Sequence, residues 1–74
     1  MLQKPNEYSL FQPNSKYFWN GFRMVAEYPD VKIFLNISDA KEYFKKFIHR
    51  FPVSHIQLIE NYGMENQKIV MEYE

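Results

Sequence analysis

The sequence predicts a small α+β protein, with a mostly antiparallel sheet in the order β-β-β-α-β-β and a single amphipathic helix packed on one face. Three observations support this: an apolar stripe at helical spacing in mid-chain, runs of β-branched and aromatic residues beside it, and turn signals between those runs. The chain then divides into an N-terminal arm, residues 1–15, and a single small domain, residues 16–74. The arm is expected to be ordered only if its apolar side chains pack somewhere.

The helix is expected in the stretch 38–52. Its apolar residues fall at i, i+3, i+4, i+7, i+8 and i+11, and all positions between them carry polar or charged side chains. Ser38 is the expected N-cap, and Pro52 cannot continue the hydrogen-bond ladder, so the helix should end near Phe51. Such a helix must cover a broad apolar surface. The stripe consists of Ala40, Tyr43, Phe44, Phe47, Ile48 and Phe51.

The Asn20-Gly21 pair is the strongest turn signal, because a two-residue type I′ turn requires positive φ at both central positions. It joins residues 16–19 and 22–28 as a hairpin. A rival interpretation is a helix over residues 15–28, since apolar residues also recur there at spacings of four and three. A glycine in mid-helix would weaken that helix by about 1 kcal/mol, which favours the hairpin.

Pro29-Asp30 is the next turn signal, since the fixed φ of proline suits the second position of a type I turn. If Tyr28 pairs with Val31 across this turn, a third strand follows and alternate cross-strand pairs are all apolar. That register places a complete hydrophobic face beneath the helix. Its members are Phe22, Met24, Ala26, Tyr28, Val31, Ile33, Leu35 and Ile37.

A second hairpin is expected after the helix, formed by residues 54–62 and 67–73 around a four-residue loop. The loop length sets the register of the pairing. Either edge of the first three strands could accept this hairpin, so the strand order is left open. The expected pairs are Ile56–Tyr73 and Leu58–Met71 toward the helix, and Ile59–Val70, Gln57–Glu72 and His55–Glu74 on the outer face.

These registers leave many apolar groups on the sheet face away from the helix, where a half-solvated antiparallel sheet normally carries polar side chains. Three interpretations are open: scattered apolar residues without a role, cover by Tyr8, Leu10 and Phe11 of the arm, or a contact surface for another chain. The third interpretation predicts a partner-binding set of Phe18, Arg23, Val25, Lys32, Phe34, Ile59 and Val70.

No catalytic, cofactor-binding or metal site is expected, and no small-molecule substrate is evident. Both glycines are used in turns, so a phosphate-binding loop is missing, and no serine lies in a nucleophile motif. Of the two histidines, His49 is expected to face water and His55 to pair with Glu74. A metal site would need a third ligand from elsewhere, which the sequence does not suggest. The chain is therefore expected not to be an enzyme.

The preferred hypothesis is a non-enzymatic protein–protein interaction module that self-associates, as a homodimer, and regulates or inhibits a cellular partner. It follows from the outward apolar groups and the lack of catalytic residues. A cysteine-free chain without a membrane span or a signal-peptide pattern is expected in the cytoplasm. The Lys-, Asn-, Ile- and aromatic-rich composition is typical of AT-rich genomes, which suggests a phage or plasmid accessory protein.

The alternative hypothesis is a nucleic-acid-binding domain that uses the exposed sheet face. Three strands followed by a packed helix also occur in DNA-binding domains that place a sheet in the major groove, and exposed Phe18 and Phe34 could stack on unpaired bases. The charge argues against this alternative, because nine basic and nine acidic residues cancel and predict no electrostatic steering of nucleic acids.

Overall fold

The computed structural model describes residues 5–74, which form a five-stranded antiparallel sheet with one α-helix on one face. This confirms the predicted α+β class. The strand order is β3-β2-β1-β4-β5. Within residues 5–74, no helix combines the length and the apolar character needed to cross a membrane. The elements are β1 (Tyr8–Gln12), β2 (Tyr17–Trp19), β3 (Met24–Val25), a 3₁₀ turn (Tyr28–Asp30), α1 (Ile37–Arg50), β4 (Ile56–Glu60) and β5 (Lys68–Tyr73).

The first strand occupies the centre of the sheet, although the sequence predicts an arm over residues 1–15. It pairs with β2 on one side and with β4 on the other, and its first three residues are buried. Prolines on both sides of such a short run are loop signals, which is why sequence reasoning places the segment outside the sheet. The arm prediction is therefore wrong for residues 8–12, and residues 1–4 lie outside the described residues.

The second and third strands form the first predicted hairpin, and the helix alternative is wrong. Trp19 pairs with Met24, so the loop between them has four residues rather than the expected two. The side chain of Asn20 favours this longer loop, because its Oδ1 accepts hydrogen bonds from the backbone N–H groups of Phe22 and Arg23, each at 2.8 Å.

The Tyr28–Asp30 turn lies where the sequence predicts one, but a single bridge replaces the expected third strand of the meander. After the turn, the backbone N–H of Lys32 donates to the carbonyl of Trp19 at 3.0 Å. Phe34 then exchanges two backbone hydrogen bonds with Tyr8, each 2.9 Å long. The segment therefore runs past the end of β2 and the start of β1 instead of pairing with β3.

This path changes which side chains of the segment are buried. Phe34 packs on the helix side, with its ring centroid 4.9 Å from that of Tyr43. Leu35, which was expected in the core, is 62% exposed. The predicted alternation fails here because β3 has only two residues and offers no ladder for a third strand.

The helix and its buried stripe are confirmed. Three members of the stripe are buried, and the other three are partly buried against the same core. The predicted cap is wrong: Asn36 is the N-cap, since its side chain accepts a hydrogen bond from the backbone N–H of Asp39 at 3.0 Å, and Ser38 lies within the first turn. The core beneath the helix contains Tyr8, Leu10, Trp19, Ala40, Phe44, Phe47, Ile56 and Leu58.

The second hairpin follows the predicted register only at the end that carries Ile56 and Leu58. Beyond Leu58 a β-bulge shifts the pairing, so that Ile59 lies opposite Ile69 and not opposite Val70. Val70 is the extra residue of the bulge and packs against the core beneath the helix. The predicted outward pair of Ile59 and Val70 is therefore wrong.

Candidate functional site

The part of the outer sheet face formed by β1 and β2, away from the helix, is covered by the chain itself. Phe11 and Phe18 lie on neighbouring strands of this face, with ring centroids 4.9 Å apart. Tyr28 and Tyr62 lie against them, stacked on each other at 5.0 Å, and Tyr62 meets Phe18 edge-on at 4.7 Å. These four residues form what we call the outer aromatic cluster. It occupies the face that the sequence predicts to be an open contact surface.

Asn61 sets the position of Tyr62. Its φ of 56° lies in the left-handed region, which asparagine tolerates better than most residues. Its side-chain Oδ1 accepts a hydrogen bond from the backbone N–H of Glu7 at 2.9 Å, and its own N–H donates to the Glu7 carbonyl at 2.7 Å. Asn61 thus ties the end of β4 to the segment before β1 and turns the chain over the outer face.

Burial raises the pKa of the Tyr28 phenol, with smaller contributions in the same direction from Glu7 and Tyr62. The Ser9 hydroxyl lies beside this phenol and offsets part of the increase in the pKa of Tyr28. Ser9 itself is fully buried, and its hydroxyl makes no hydrogen bond of good geometry. The outer aromatic cluster is therefore a second apolar layer, in which Phe18 is buried and the other three rings are partly buried.

Three of the seven predicted partner-binding residues lie on this covered face. Phe18 and Ile59 are 3% and 2% exposed, and Val25, paired with Phe18, is half-buried. Phe18 is covered because the turns that carry Tyr28 and Tyr62 fold over the sheet, which the registers of the strands do not predict. The prediction of exposure is therefore wrong for Phe18 and Ile59, whereas Val25 remains partly exposed.

The other four predicted residues are dispersed. Phe34 and Val70 pack on the helix side, and the Lys32 ammonium lies 5.2 Å from the centre of the Phe34 ring. Arg23 is exposed in the β2–β3 loop. The structure therefore does not bring the seven residues together on one surface. The nucleic-acid hypothesis loses its stacking platform as well, since Phe18 is buried and Phe34 faces the helix.

The helix side carries a groove of about 130 Å³ at the C-terminal half of α1. The rings of Phe47 and Phe51 lie 4.8 Å apart, and the Trp19 ring supports both of them at 5.0 Å. The groove forms because the chain leaves the helix in an extended conformation at Phe51, which lays this ring back against the last turns. We call it the helix groove; it is lined by Tyr43, Lys46, Phe47, Arg50 and Phe51.

Hydrogen-bond donors border this groove. The Trp19 indole N–H donates to the Tyr43 hydroxyl at 2.8 Å, which leaves the hydroxyl hydrogen directed elsewhere. The Arg50 guanidinium lies 5.5 Å from the Phe51 ring, and among the described residues no carboxylate lies within 4 Å of it. Lys46 is paired with Glu42 at 3.1 Å, on an exposed part of the helix. The groove thus combines aromatic walls with donors for an anionic group.

A second polar group lies on the outer face, where the β4–β5 hairpin is open. His55 Nε2 is 3.6 Å from Glu74 Oε1, which agrees with the predicted proximity, and only 2.6 Å from Glu72 Oε2. Gln57 also donates to Glu72 Oε2, at 2.8 Å. The hydrogen bonds from Gln57 and His55 hold the pKa of the Glu72 carboxyl below its usual value.

Sequence reasoning missed the helix groove because it treats the whole apolar stripe as buried. The signal available in the sequence is the spacing of Tyr43, Lys46, Phe47 and Arg50 at i, i+3, i+4 and i+7, which puts two cations beside two rings on one helix face.

Comparisons of the chain with protein-family models, with curated proteins and with solved structures found no match.

Proposed function

We propose that this chain is a small, non-catalytic protein-interaction module that binds an acidic segment of another protein in the helix groove. The observation that carries the proposal is the meeting of aromatic walls with the donors of Tyr43, Lys46 and Arg50 in one place. The walls favour an apolar side chain, and a guanidinium can bind a carboxylate through two hydrogen bonds.

The size of the groove favours a protein segment over a cofactor or metabolite. Pockets for such small molecules usually enclose about 300–1,000 Å³, whereas the helix groove has about 130 Å³. One aromatic or leucine side chain fills that space. The rest of the ligand then lies along the exposed helix surface, where its acidic residues meet the basic ones.

The charge distribution favours the same kind of partner. Residues 38–51 carry four basic and two acidic side chains, whereas residues 52–74 carry one basic and four acidic ones. The helix therefore attracts an anionic segment although the chain as a whole is neutral. The proposal keeps three expectations from the sequence: the chain regulates or inhibits its partner, it self-associates, and it is located in the cytoplasm.

Selection of random peptides displayed on phage against the immobilised chain tests the proposal. We expect enrichment of an aromatic residue or leucine flanked by Asp or Glu. With a synthetic peptide of the enriched type, Arg50→Glu should weaken binding by about 10-fold or more, because a charge-assisted hydrogen bond contributes about 1.5–3 kcal/mol. Fluorescence anisotropy of the labelled peptide measures this.

Lys45→Glu is the matched control. It makes the same change from a cation to an anion on the same helix, at an exposed position that does not line the groove. We expect its affinity to stay within about threefold of the original chain, since Lys45 does not line the groove and exposed charges interact only weakly through water and salt. Equal losses in both variants, or enriched peptides without acidic residues, would contradict a specific groove.

Labelled single- and double-stranded DNA and RNA serve as competing ligands in the same assay. We expect no binding at micromolar protein near physiological salt, because the chain carries no net positive charge to attract a polyanion. Binding that weakens with added salt and is lost on changing Arg23 and Lys32 to glutamate would favour the nucleic-acid alternative instead.

A further inference from the structure

We propose that His55, Glu72 and Glu74 bind a divalent cation, and that Zn²⁺ is the ion they suit best. One ligand atom from each of the three side chains lies within 4.8 Å of the others. A tetrahedral zinc ion with bonds of about 2.0–2.2 Å needs its ligand atoms about 3.3–3.6 Å apart, so small rotations of the exposed carboxylates complete the geometry. The sequence predicts no metal site, and the third ligand it lacks is Glu72.

The hairpin register brings these ligands together. The pairing of Ile56 with Tyr73 sets His55 beside Glu74, and the pairing of Gln57 with Glu72 places the second carboxylate on the same face. The ligands come from the two sides of the hairpin and are far apart in sequence, so they meet only in the folded chain. That is the condition under which a metal ion stabilises a fold.

The charges of the cluster are unbalanced without a cation. Among residues 5–74, no lysine or arginine lies within 4 Å of the carboxylates of Glu72 or Glu74, and His55 is the only basic group that close. The one lysine of β5, Lys68, lies 3.7 Å from Glu60 instead. The two carboxylates carry the same charge and repel each other, and a divalent ion neutralises both.

A neighbouring group already holds one of the ligands. Gln57 donates a hydrogen bond to Glu72, which orients this carboxylate as the supporting residues of metal sites do. The side chain of His55 is 20% exposed and that of Glu74 is 78% exposed, so one ligand is fixed and another is adjustable. An imidazole nitrogen beside two carboxylate oxygens suits Zn²⁺ better than Mg²⁺ or Ca²⁺, which prefer oxygen ligands alone.

This site is independent of the proposed peptide-binding groove. Its ligands lie on the outer side of the β4–β5 hairpin, whereas the helix groove is lined by α1 and Phe51. The two can therefore fail separately in experiments. Binding is expected to stabilise the pairing of β4 with the edge strand β5 at the open end of the hairpin.

Calorimetric titration of the full chain with ZnCl₂ tests the inference. We expect one ion per chain for the original protein, and at least a 10-fold weaker affinity for His55→Ala. His49→Ala is the matched control, because it removes the only other histidine, an exposed residue on the helix, and should leave the affinity unchanged. The long-range ¹H–¹⁵N spectrum should show Zn²⁺ shifting the His55 Nε2 resonance and leaving the His49 ring unmoved.

Thermal unfolding provides a second measurement. Zn²⁺ should raise the melting temperature of the original chain and of His49→Ala but not of His55→Ala, since binding to the folded state alone stabilises it. Glu74→Gln removes one ligand charge at an exposed position and should weaken binding even if His55→Ala fails to fold. Unchanged affinity in both ligand variants, tighter binding of Mg²⁺ than of Zn²⁺, or no shift of the His55 ring would overturn the inference.

Discussion

Asn61 shows how much of this fold depends on single residues at corners. It combines a left-handed backbone with hydrogen bonds to Glu7 and to the Asn6 side chain, the latter at 3.0 Å. The corner places Tyr62 over Phe18 and so decides that the outer face is covered. The strand registers do not reveal this corner, because they determine the sheet face on which a side chain lies but not the path of the chain after a strand ends.

Asn61→Ala should lower the free energy of unfolding by about 2–3 kcal/mol, from lost hydrogen bonds and from the cost of a left-handed alanine. Asn61→Gly should cost about 1 kcal/mol less, because glycine accepts positive φ freely. Urea denaturation measures both, with Asn66→Ala in the exposed β4–β5 loop as the control. If the alanine and glycine variants unfold at the same urea concentration as the original chain, Asn61 does not hold this corner.

At the scale of elements, local signals were sufficient for α1, which follows from side-chain spacing. The second hairpin is different: its connection has seven residues, 61–67, rather than the expected four, and the pairs of Ile56 and Leu58 agree with the prediction only because the bulge at Val70 offsets this change. The central position of β1 could not be predicted in this way, because its partner β4 is far away in sequence. The bulge at Val70 has no local marker either, since no glycine or proline accompanies it.

The two candidate sites were predictable to different degrees. The register alone puts His55 near Glu74, and only the second carboxylate, Glu72, required the structure. The helix groove could not be derived, because whether Phe51 packs inward or beside the helix depends on Trp19. Contacts between distant elements determine which part of an apolar stripe stays accessible.

Deleting residues 1–12 should abolish cooperative folding, because it removes β1 and its hydrogen bonds to both neighbouring strands. Leu10→Ala, at a residue only 1% exposed, should cost about 2–5 kcal/mol, which is a large part of the stability of a small domain. Circular dichroism during thermal and urea unfolding measures both changes. A truncated chain that still melts cooperatively near the original temperature would show that this segment is an appendage, as the sequence suggests.

Over the whole molecule, the sheet has an apolar layer on each face. Seven Phe, six Tyr and one Trp are available, and each ring can bury about 150–250 Å², which lets a cysteine-free chain of 74 residues cover both sides. The large apolar side chains with the highest exposure, Phe22 at 90% and Leu35 at 62%, lie in connecting segments. Self-association stays a prediction, and these segments offer it the most exposed of the large apolar side chains among the described residues.

The two buried layers also make stability sensitive to alkali. Burial raises the pKa of Tyr8 beneath the helix, with nearby Glu60 contributing in the same direction, and burial raises the pKa of Tyr28 in the outer aromatic cluster. Well below the ordinary pKa of 10.0, both phenols are protonated in the folded and unfolded states and do not affect the balance. Above it, the unfolded chain loses these protons first, so the free energy of unfolding falls as the pH rises.

Urea unfolding at a series of pH values from about 8 to 11.5, spanning the tyrosine range, measures this decline. Tyr28→Phe keeps the ring but removes one of the two phenols whose pKa is raised by burial, so its stability should fall less steeply above pH 10.0 than that of the original chain. At neutral pH the same variant should lose little, because the ring contacts with Phe18 and Tyr62 remain. A decline of equal steepness in both chains would mean that the Tyr28 phenol titrates freely in the folded protein, and that the outer aromatic cluster is open to water.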